Sequence, residues 1–484
     1  MLKKVTCTWA ALALLAGCAA QPAAARPEAT VETAEAAVQP AQEQTTPGFA
    51  NVGTLERIPS TCGGYWGWNT GDAYYEIARQ YEEGDNSSMH ALLLKTDYAT
   101  GQQTVLCSVP GCTHNNAACP AWLEDWARTD LLVMPSGIYL FYTGLDDVQP
   151  WDEVEKQSRE FFEQGYAQDF PDEEAYIDYC RHNYELDSRP TTLERLSDDL
   201  TARTTVATLE NQLPSETYFT YCDENALYTN GGRFGNTSAD NKMYRLNLTD
   251  GTLDTIPLEN SEVVMAAAGQ RFLTARLVSD APLPDNNDWD AYQAALQNAA
   301  YEYSWYDPQT LERQKVFSIP AENGFQYVNS LYKDRIYVQD NWRQLGEWDS
   351  QSSLSYYEPD GTRTELVDDL PGSAYLPETD SGFMPTFSGK RRNSVWVQKI
   401  DANSNEADYL YDLDTGGATR ITQQQSRDAR YVSVSLMAET NDGRWLVGYK
   451  PHTNVHNDRC DYGLIDPQAF LQGSTDYAPV EMWP

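Results

Sequence analysis

Along most of the chain, apolar and polar positions alternate in short runs broken by Asp, Gly and Pro. A period of two over a handful of residues is the mark of a strand with one buried face. The runs come in pairs around tight turns: "LLLKTDYATGQQTVL" from Leu92, "MYRLNLTDGTLDTIP" from Met243, "YSWYDPQTLERQKVF" from Tyr303, "LSYYEPDGTRTELV" from Leu354 and "YLYDLDTGGATRIT" from Tyr409. A weaker copy, "LERLSDDLTARTTVATL", starts at Leu193, and a degenerate one, "YGLIDPQAF", at Tyr462. Aromatic and β-branched residues around Asp-Gly, Thr-Gly or Asp-Pro predict a β-hairpin at each.

One more apolar strand precedes each hairpin, as in "AYYEIAR" from Ala73, "GIYLFYTG" from Gly137, "RFLTARLV" from Arg271 and "SVWVQKI" from Ser394. With a connecting strand added, each unit makes a four-stranded blade. Blades closed in a ring bury both faces of every sheet and leave only short edges. The predicted fold class is therefore all-β: a β-propeller of about seven four-stranded blades, with six or eight also fitting the spacing. A pair of β-sandwiches is the rival architecture, but it does not call for a tandem hairpin of this period.

Two stretches break the period. The first, about 146–190, is acidic, and its apolar positions (Trp151, Val154, Phe161, Phe162, Tyr176, Ile177) have partly helical spacing, with Pro171 between two short helices. The second, about 284–300, predicts one helix with Asp288 as a candidate N-cap. Such excursions are candidate partner surfaces at the mouth of a ring.

The beginning of the chain follows a different pattern. MLKK supplies positive charge, Val5–Leu15 is mostly apolar, and Leu-Ala-Gly-Cys ends at Cys18. The apolar run is too short to span a bilayer. The spacing resembles a bacterial lipobox. That resemblance implies a signal peptide over 1–17, a diacylglycerol on the Cys18 thiol and anchorage on the outer face of the bacterial cell membrane. An ordinary signal peptide cut after Ala23–Ala25 is the alternative. Residues 18–50 are rich in Ala, Pro, Glu, Thr and Gln and have too few bulky apolar residues to offset the entropy of ordering, so they predict a flexible tether. Residues 51–484 are left for the propeller.

Charge narrows the partners. Against 34 Lys and Arg stand 72 Asp and Glu, a formal charge of −38. A field of that sign repels nucleic acid. No G-x-S-x-G, H-E-x-x-H, P-loop or convincing G-x-G-x-x-G occurs, and the carboxylates are too numerous for any pair to be specific.

"LCSVPGCTHNNAACPAW" from Leu106 concentrates the chemistry: Cys107, Cys112, His114 and Cys119, in a chain with nine cysteines and five histidines. It follows directly on the first hairpin, in the connection towards the second blade, with Pro110-Gly111 and Asn115-Asn116 favouring tight turns. Three uses compete. Three thiolates and an imidazole suit tetrahedral zinc, although C-x4-C-x-H-x4-C lacks a C-x2-C pair. An exported chain also favours disulfides. Setting aside Cys7 and Cys18 from nine leaves seven cysteines, an odd number, with Cys112–Cys119 the local pairing and Cys62–Cys107 a second. The third use is catalysis by a thiolate near His114. A weaker metal candidate is His452, His456 and Cys460 in "PHTNVHNDRC".

The repeats resemble bacterial surface lipoproteins with TolB-like or YWTD-like propellers, in which a tyrosine-rich strand runs into Asp-x-x-Thr-Gly; Asp97–Gly101 and Asp412–Gly416 match. Cys107, Cys112, His114 and Cys119-Pro120-Ala121 are similar to a motif in propeller lipoproteins of gut Firmicutes. The resemblance implies a fold and little about function. The expected function is non-catalytic recognition of an extracytoplasmic protein, peptide or glycan through the propeller face. A hydrolase of glycan or peptide using carboxylates in the central funnel is the alternative, and a structural partner in an envelope complex is a third.

Overall fold

The computed structural model describes residues 52–483 apart from internal segments, among them 230–240, 281–288, 341–350, 372–393, 424–433 and 452–459. The expected signal peptide, Cys18 and the tether lie outside the described residues, as do Cys62, His452 and His456. The chain divides into two compact units, 1–45 with 148–187 and 46–147 with 188–484.

In the first unit the described residues form a helix pair, α1 (Trp151–Glu163) and α2 (Glu173–Asp187). Asp152 and Glu153 open one helix and Glu173 and Glu174 the other, where the helix dipole favours negative charge. The Asp172 carboxylate accepts the Ala175 N–H at 2.9 Å. Aromatic rings join the helices: Tyr176 lies 6.0 Å from Phe162 and 6.5 Å from Phe161.

Among the described residues the second unit is all-β apart from two short α-helices, α3 (Trp289–Leu296) and α4 (Pro467–Leu471), and one 3-10 turn at Trp126–Arg128. Its strands form seven antiparallel sheets, numbered here in chain order. Sheet 1 has β2 (Trp68–Asn69), β3 (Ala73–Glu82), β4 (Asp85–Asp97) and β5 (Gln102–Val105), with β6 (Trp122–Leu123) also on β4. Sheet 2 has β7 (Thr129–Met134), β8 (Gly137–Tyr142), β9 (Thr192–Leu196) and β10 (Arg203–Thr208). Sheet 3 has β11 (Phe219–Cys222), β12 (Ala226–Thr229), β13 (Lys242–Asn247) and β14 (Leu253–Pro257), and the early strand β1 (Glu56–Arg57) pairs with β11 as a fifth. Sheet 4 has β15 (Glu262–Ala268), β16 (Arg271–Ser279), β17 (Ala299–Tyr306) and β18 (Arg313–Pro320). Sheet 5 has β19 (Tyr327–Tyr332), β20 (Arg335–Asp340), β21 (Gln351–Tyr357) and β22 (Arg363–Pro371). Sheet 6 has β23 (Ser394–Ile400), β24 (Glu406–Asp412) and β25 (Ala418–Arg420). Sheet 7 has β26 (Ser435–Glu439), β27 (Trp445–Pro451), β28 (Cys460–Ile465) and β29 (Ala478–Pro479).

Burial joins these sheets into a ring, because each apolar cluster is shared by neighbours. Leu93 and Ile77 of sheet 1 meet Leu131 and Leu140 of sheet 2, and Phe141 of sheet 2 meets Phe219 of sheet 3 edge-to-face at 4.9 Å. Tyr228 of sheet 3 packs on Phe272 of sheet 4, Tyr303 of sheet 4 shares a cluster with Ile336 of sheet 5, and Tyr337 of sheet 5 with Tyr411 of sheet 6. Leu410 of sheet 6 meets Leu436 of sheet 7, and Leu464 of sheet 7 meets Tyr74 of sheet 1, which closes the circle. The fold is a β-propeller.

Six sheets have four or more strands, while sheet 6 shows three among the described residues, residues 372–393 before it lying outside them. The expectation of seven complete blades is corrected to six. The hairpin count detects only the second, third and fourth strands of a blade, and sheet 6 carries that set. A second correction concerns "YGLIDPQAF". Its Asp-Pro is not a hairpin turn: Asp466 caps α4 through the Ala469 N–H at 2.9 Å, and Pro467 takes the first helical position.

The matched turns fold alike. Asp97 accepts the Thr100 N–H at 3.0 Å before Gly101 (φ +66°), and Asp412 accepts the Thr415 N–H at 2.8 Å before Gly416 (φ +70°). A side-chain acceptor at the first position and a left-handed glycine at the last let the strands reverse.

Candidate functional site

The cysteine-rich loop is a departure from the edge of sheet 1. β5 pairs with β4 at Leu94–Asp97 and β6 pairs with it at Ala91–Leu92, so residues 106–121 leave the edge and return to it. Both ends are pinned on one residue: the Leu106 N–H donates to the Leu93 carbonyl at 2.9 Å, and the Leu93 N–H donates to the Ala121 carbonyl at 3.0 Å. The Ser108 N–H donates to the Leu200 carbonyl at 3.0 Å, tying the loop to the β9–β10 turn of sheet 2.

The turn expected at Pro110-Gly111 forms, and a second turn opens at Asn116 with Ala117-Ala118 at its centre rather than Asn115-Asn116. The Cys112 N–H reaches the Val109 carbonyl at 3.1 Å across Pro110-Gly111, with Gly111 at φ +71°, the conformation a type II turn requires there. The Cys119 N–H closes a second turn on Asn116 at 3.0 Å. Between them His114 sits at φ +56°, a left-handed conformation that non-glycine residues adopt sparingly and that tends to mark functional positions.

These turns bring the four side chains together. One ligand atom each from Cys107, Cys112, His114 and Cys119 falls within 4.8 Å of all the others. His114 Nδ1 is 3.3 Å from Cys119 Sγ. Among the described residues no other three His, Cys, Asp or Glu side chains converge in this way. The three sulfurs are free thiols, and so is that of Cys180. Cys119 is 1 % exposed, while Cys107, Cys112 and His114 are half-buried.

Electrostatics separates the thiols. The His114 backbone N–H donates to the Cys112 sulfur and holds that thiol below its ordinary range. Burial pushes Cys119 up to about 12, against a smaller opposing effect of the Ala121 N–H on its sulfur. Cys112 therefore ionises more readily than Cys119, which keeps its proton at neutral pH. Both N–H donors lie two residues after the sulfur they serve, an arrangement that stabilises thiolate charge.

A partner that local spacing does not reveal lies at the other end of the chain. Trp483 meets the His114 ring edge-to-face at 5.6 Å. Its backbone N–H donates to Gln103 Oε1 at 3.1 Å. Gln103 Nε2 donates to Glu76 Oε1 at 2.7 Å, and Tyr462 OH donates to Glu76 Oε2 at 2.7 Å. The loop therefore connects to the seam between sheets 7 and 1. The weaker candidate is not assembled: of His452, His456 and Cys460, only Cys460 is described, at the start of β28.

Beside the loop, a cleft of about 320 Å³ opens between its return strand and sheet 2. Trp122, Tyr142, Arg189, Glu194 and Arg203 line it. The Arg189 guanidinium lies 4.5 Å above the Tyr142 ring, and Arg203 is 3.6 Å from Glu194. His90 stacks on Trp122 at 3.7 Å. Among the described residues, the indole N–H of Trp122 is buried and finds no acceptor.

Three of the four buried carboxylates among the described residues have protein partners that can be named. Asp223 accepts from Gly53, Asn225, Ala226 and the Tyr228 hydroxyl. Glu262 is paired with Arg313 at 2.7 Å, and Glu76 is held as described above.

No family model matches the chain, and no curated protein matches it. Solved structures similar to it include dipeptidyl peptidase 4 of Porphyromonas gingivalis, at 10 % identity and a TM-score of 0.38, covering 90 % of this chain and 59 % of the peptidase. TolB from Acinetobacter baumannii matches at 12 % identity and a TM-score of 0.31, covering 85 % of this chain and 82 % of TolB. An oligogalacturonate lyase in complex with manganese matches at 12 % identity and a TM-score of 0.36, covering 75 % and 98 %. The chain thus spans about three-fifths of the length of the peptidase.

Proposed function

We propose that this chain is a lipid-anchored binding protein of the extracytoplasmic space, whose propeller recognises a protein, peptide or glycan without turning it over. The observation that carries this reading is the cleft beside the cysteine loop. A buried indole N–H without an acceptor forfeits a hydrogen bond worth about 1–3 kcal/mol, and a ligand carbonyl or hydroxyl seated there would restore it. Tyr142 offers an apolar ring, while Arg189, Arg203 and Glu194 offer charges of both signs. The volume is at the lower end of small-ligand sites, which fits a short peptide segment or a sugar unit of a longer partner. The cleft lies between β6 of sheet 1 and sheet 2, and in this reading it takes the place of the propeller face expected from the sequence.

Asp223, Glu262 and Glu76 are committed to structural partners, so a hydrolase would have to use other carboxylates. The test is to screen the full chain against peptide and glycan arrays, then to measure affinity for each hit with Trp122→Phe, which keeps the ring and removes the N–H. The expected loss is about tenfold, corresponding to one hydrogen bond. Turnover of a bound ligand, or unchanged affinity in the variant, would contradict the proposal. The anchor has its own test: Cys18→Ser should move the chain from the membrane fraction to the soluble fraction.

A further inference from the structure

We infer that Cys107, Cys112, His114 and Cys119 hold one zinc(II) ion, and that this ion is a clasp stabilising the closure of the ring between sheets 7 and 1. The inference does not depend on the ligand proposed for the cleft.

The donor set points to a soft, four-coordinate cation. Calcium and magnesium take oxygen ligands, whereas three thiolates and an imidazole are a common structural zinc shell. The size fits as well. Zinc–sulfur bonds of about 2.3 Å in a tetrahedron place sulfurs about 3.8 Å apart, and all four ligand atoms here lie within 4.8 Å of one another. A disulfide would join only two of the three sulfurs and leave the third thiol and the imidazole converging on nothing. The left-handed backbone at His114 is the strain needed to turn Nδ1 towards the sulfurs. Binding would release the protons of the three thiols to solvent and leave the centre with one net negative charge.

The clasp follows from what His114 touches. A coordinated imidazole has a fixed ring plane, and the Trp483 ring packs edge-to-face on that plane. The segment carrying Trp483 joins the two ends of the ring. Val480 N–H donates to the Tyr462 carbonyl of sheet 7 at 2.9 Å, and Glu481 N–H donates to the Gly101 carbonyl of sheet 1 at 2.8 Å. The Gln103 N–H returns a bond to the Glu481 carbonyl at 2.8 Å. Metal at the loop therefore orders a wall against which this closing segment packs.

The test uses the full chain purified in detergent without chelator. Metal analysis should find one zinc per chain, and intact mass should show Cys107, Cys112 and Cys119 reduced. Cobalt substituted for zinc should give the intense visible absorption of a tetrahedral thiolate site. Absence of zinc, iron in its place, or a mass two hydrogens low from a bridge among these cysteines would overturn the site. For the clasp, chelation should lower the melting temperature of the unaltered chain. Trp483→Ala, which spares every ligand, should still bind one zinc but show a smaller shift on chelation. An equal shift in both proteins would overturn the clasp. His114→Ala should lose zinc and His114→Cys should retain it. If His114→Ala does not fold, the cobalt spectrum of the unaltered chain decides the site.

Discussion

The seam between sheets 7 and 1 and the helix pair Val148–Asp187 both use charged side chains, in opposite settings. At the seam Glu76 is 8 % exposed, and its two oxygens accept from Gln103 and Tyr462. Tyr74 and Tyr462 pack around it at 5.9 Å. In the helix pair, Arg159 reaches Glu155, Glu173 and Glu174 at 2.7 to 3.0 Å, all on the surface, and α1 buries no residue. Water screens the second set and not the first. A buried carboxylate must be satisfied or it opposes folding, whereas an exposed ion pair contributes little. The propeller should therefore melt as one cooperative body, and the helix pair should be the less stable unit.

The comparison can be broken by substitution. The largest effect is expected in the propeller for Glu262→Ala, which removes the closest carboxylate from the part-buried Arg313 and leaves it Glu259 at 3.8 Å; about 3–5 kcal/mol should be lost from global unfolding in denaturant. In the helix pair, Ile177 is the one buried residue of α2. Ile177→Ala should cost about 2 kcal/mol or more, visible as early loss of helical circular dichroism while sheet signals persist. At the seam, Tyr462→Phe leaves one oxygen of Glu76 without its donor and should cost about 1–3 kcal/mol of global stability. Arg159→Ala should have the smallest effect, confined to the helix pair and vanishing in high salt. Loss of global stability from Arg159→Ala would erase the distinction between the two units.

How much of this was legible in the sequence depends on the range of the signal. The hairpins were, because period-two alternation and Asp-Gly or Thr-Gly turns are local; Asp97–Gly101 and Asp412–Gly416 fold as their residues predict. The first strands of blades were not. β2 is two residues long and β11 four, too short for alternation to register. β1 was invisible for another reason: it pairs with β11 more than 160 residues later. The helix Pro467–Leu471 was missed because Asp-Pro was taken as a turn, although the same pair is also an N-cap followed by proline. Within the candidate site, the spacing singled out the four side chains that converge and the Pro110-Gly111 turn, whereas the second turn opens at Asn116 and centres on Ala117-Ala118. The spacing gave no sign of Trp483, whose place against His114 depends on the ring closing. Nor did it show the unpaired indole of Trp122, which depends on the loop returning to β4.

The most direct test of the ring and its clasp is hydrogen exchange across the full chain, with zinc present and after chelation. With zinc removed, the amides of Gln103, Leu106, Ser108, Glu481 and Trp483 should exchange together, roughly tenfold faster, while Val148–Asp187 keeps its rates. Unchanged exchange at Gln103 and Glu481, or an increase spread evenly over the helix pair as well, would contradict it.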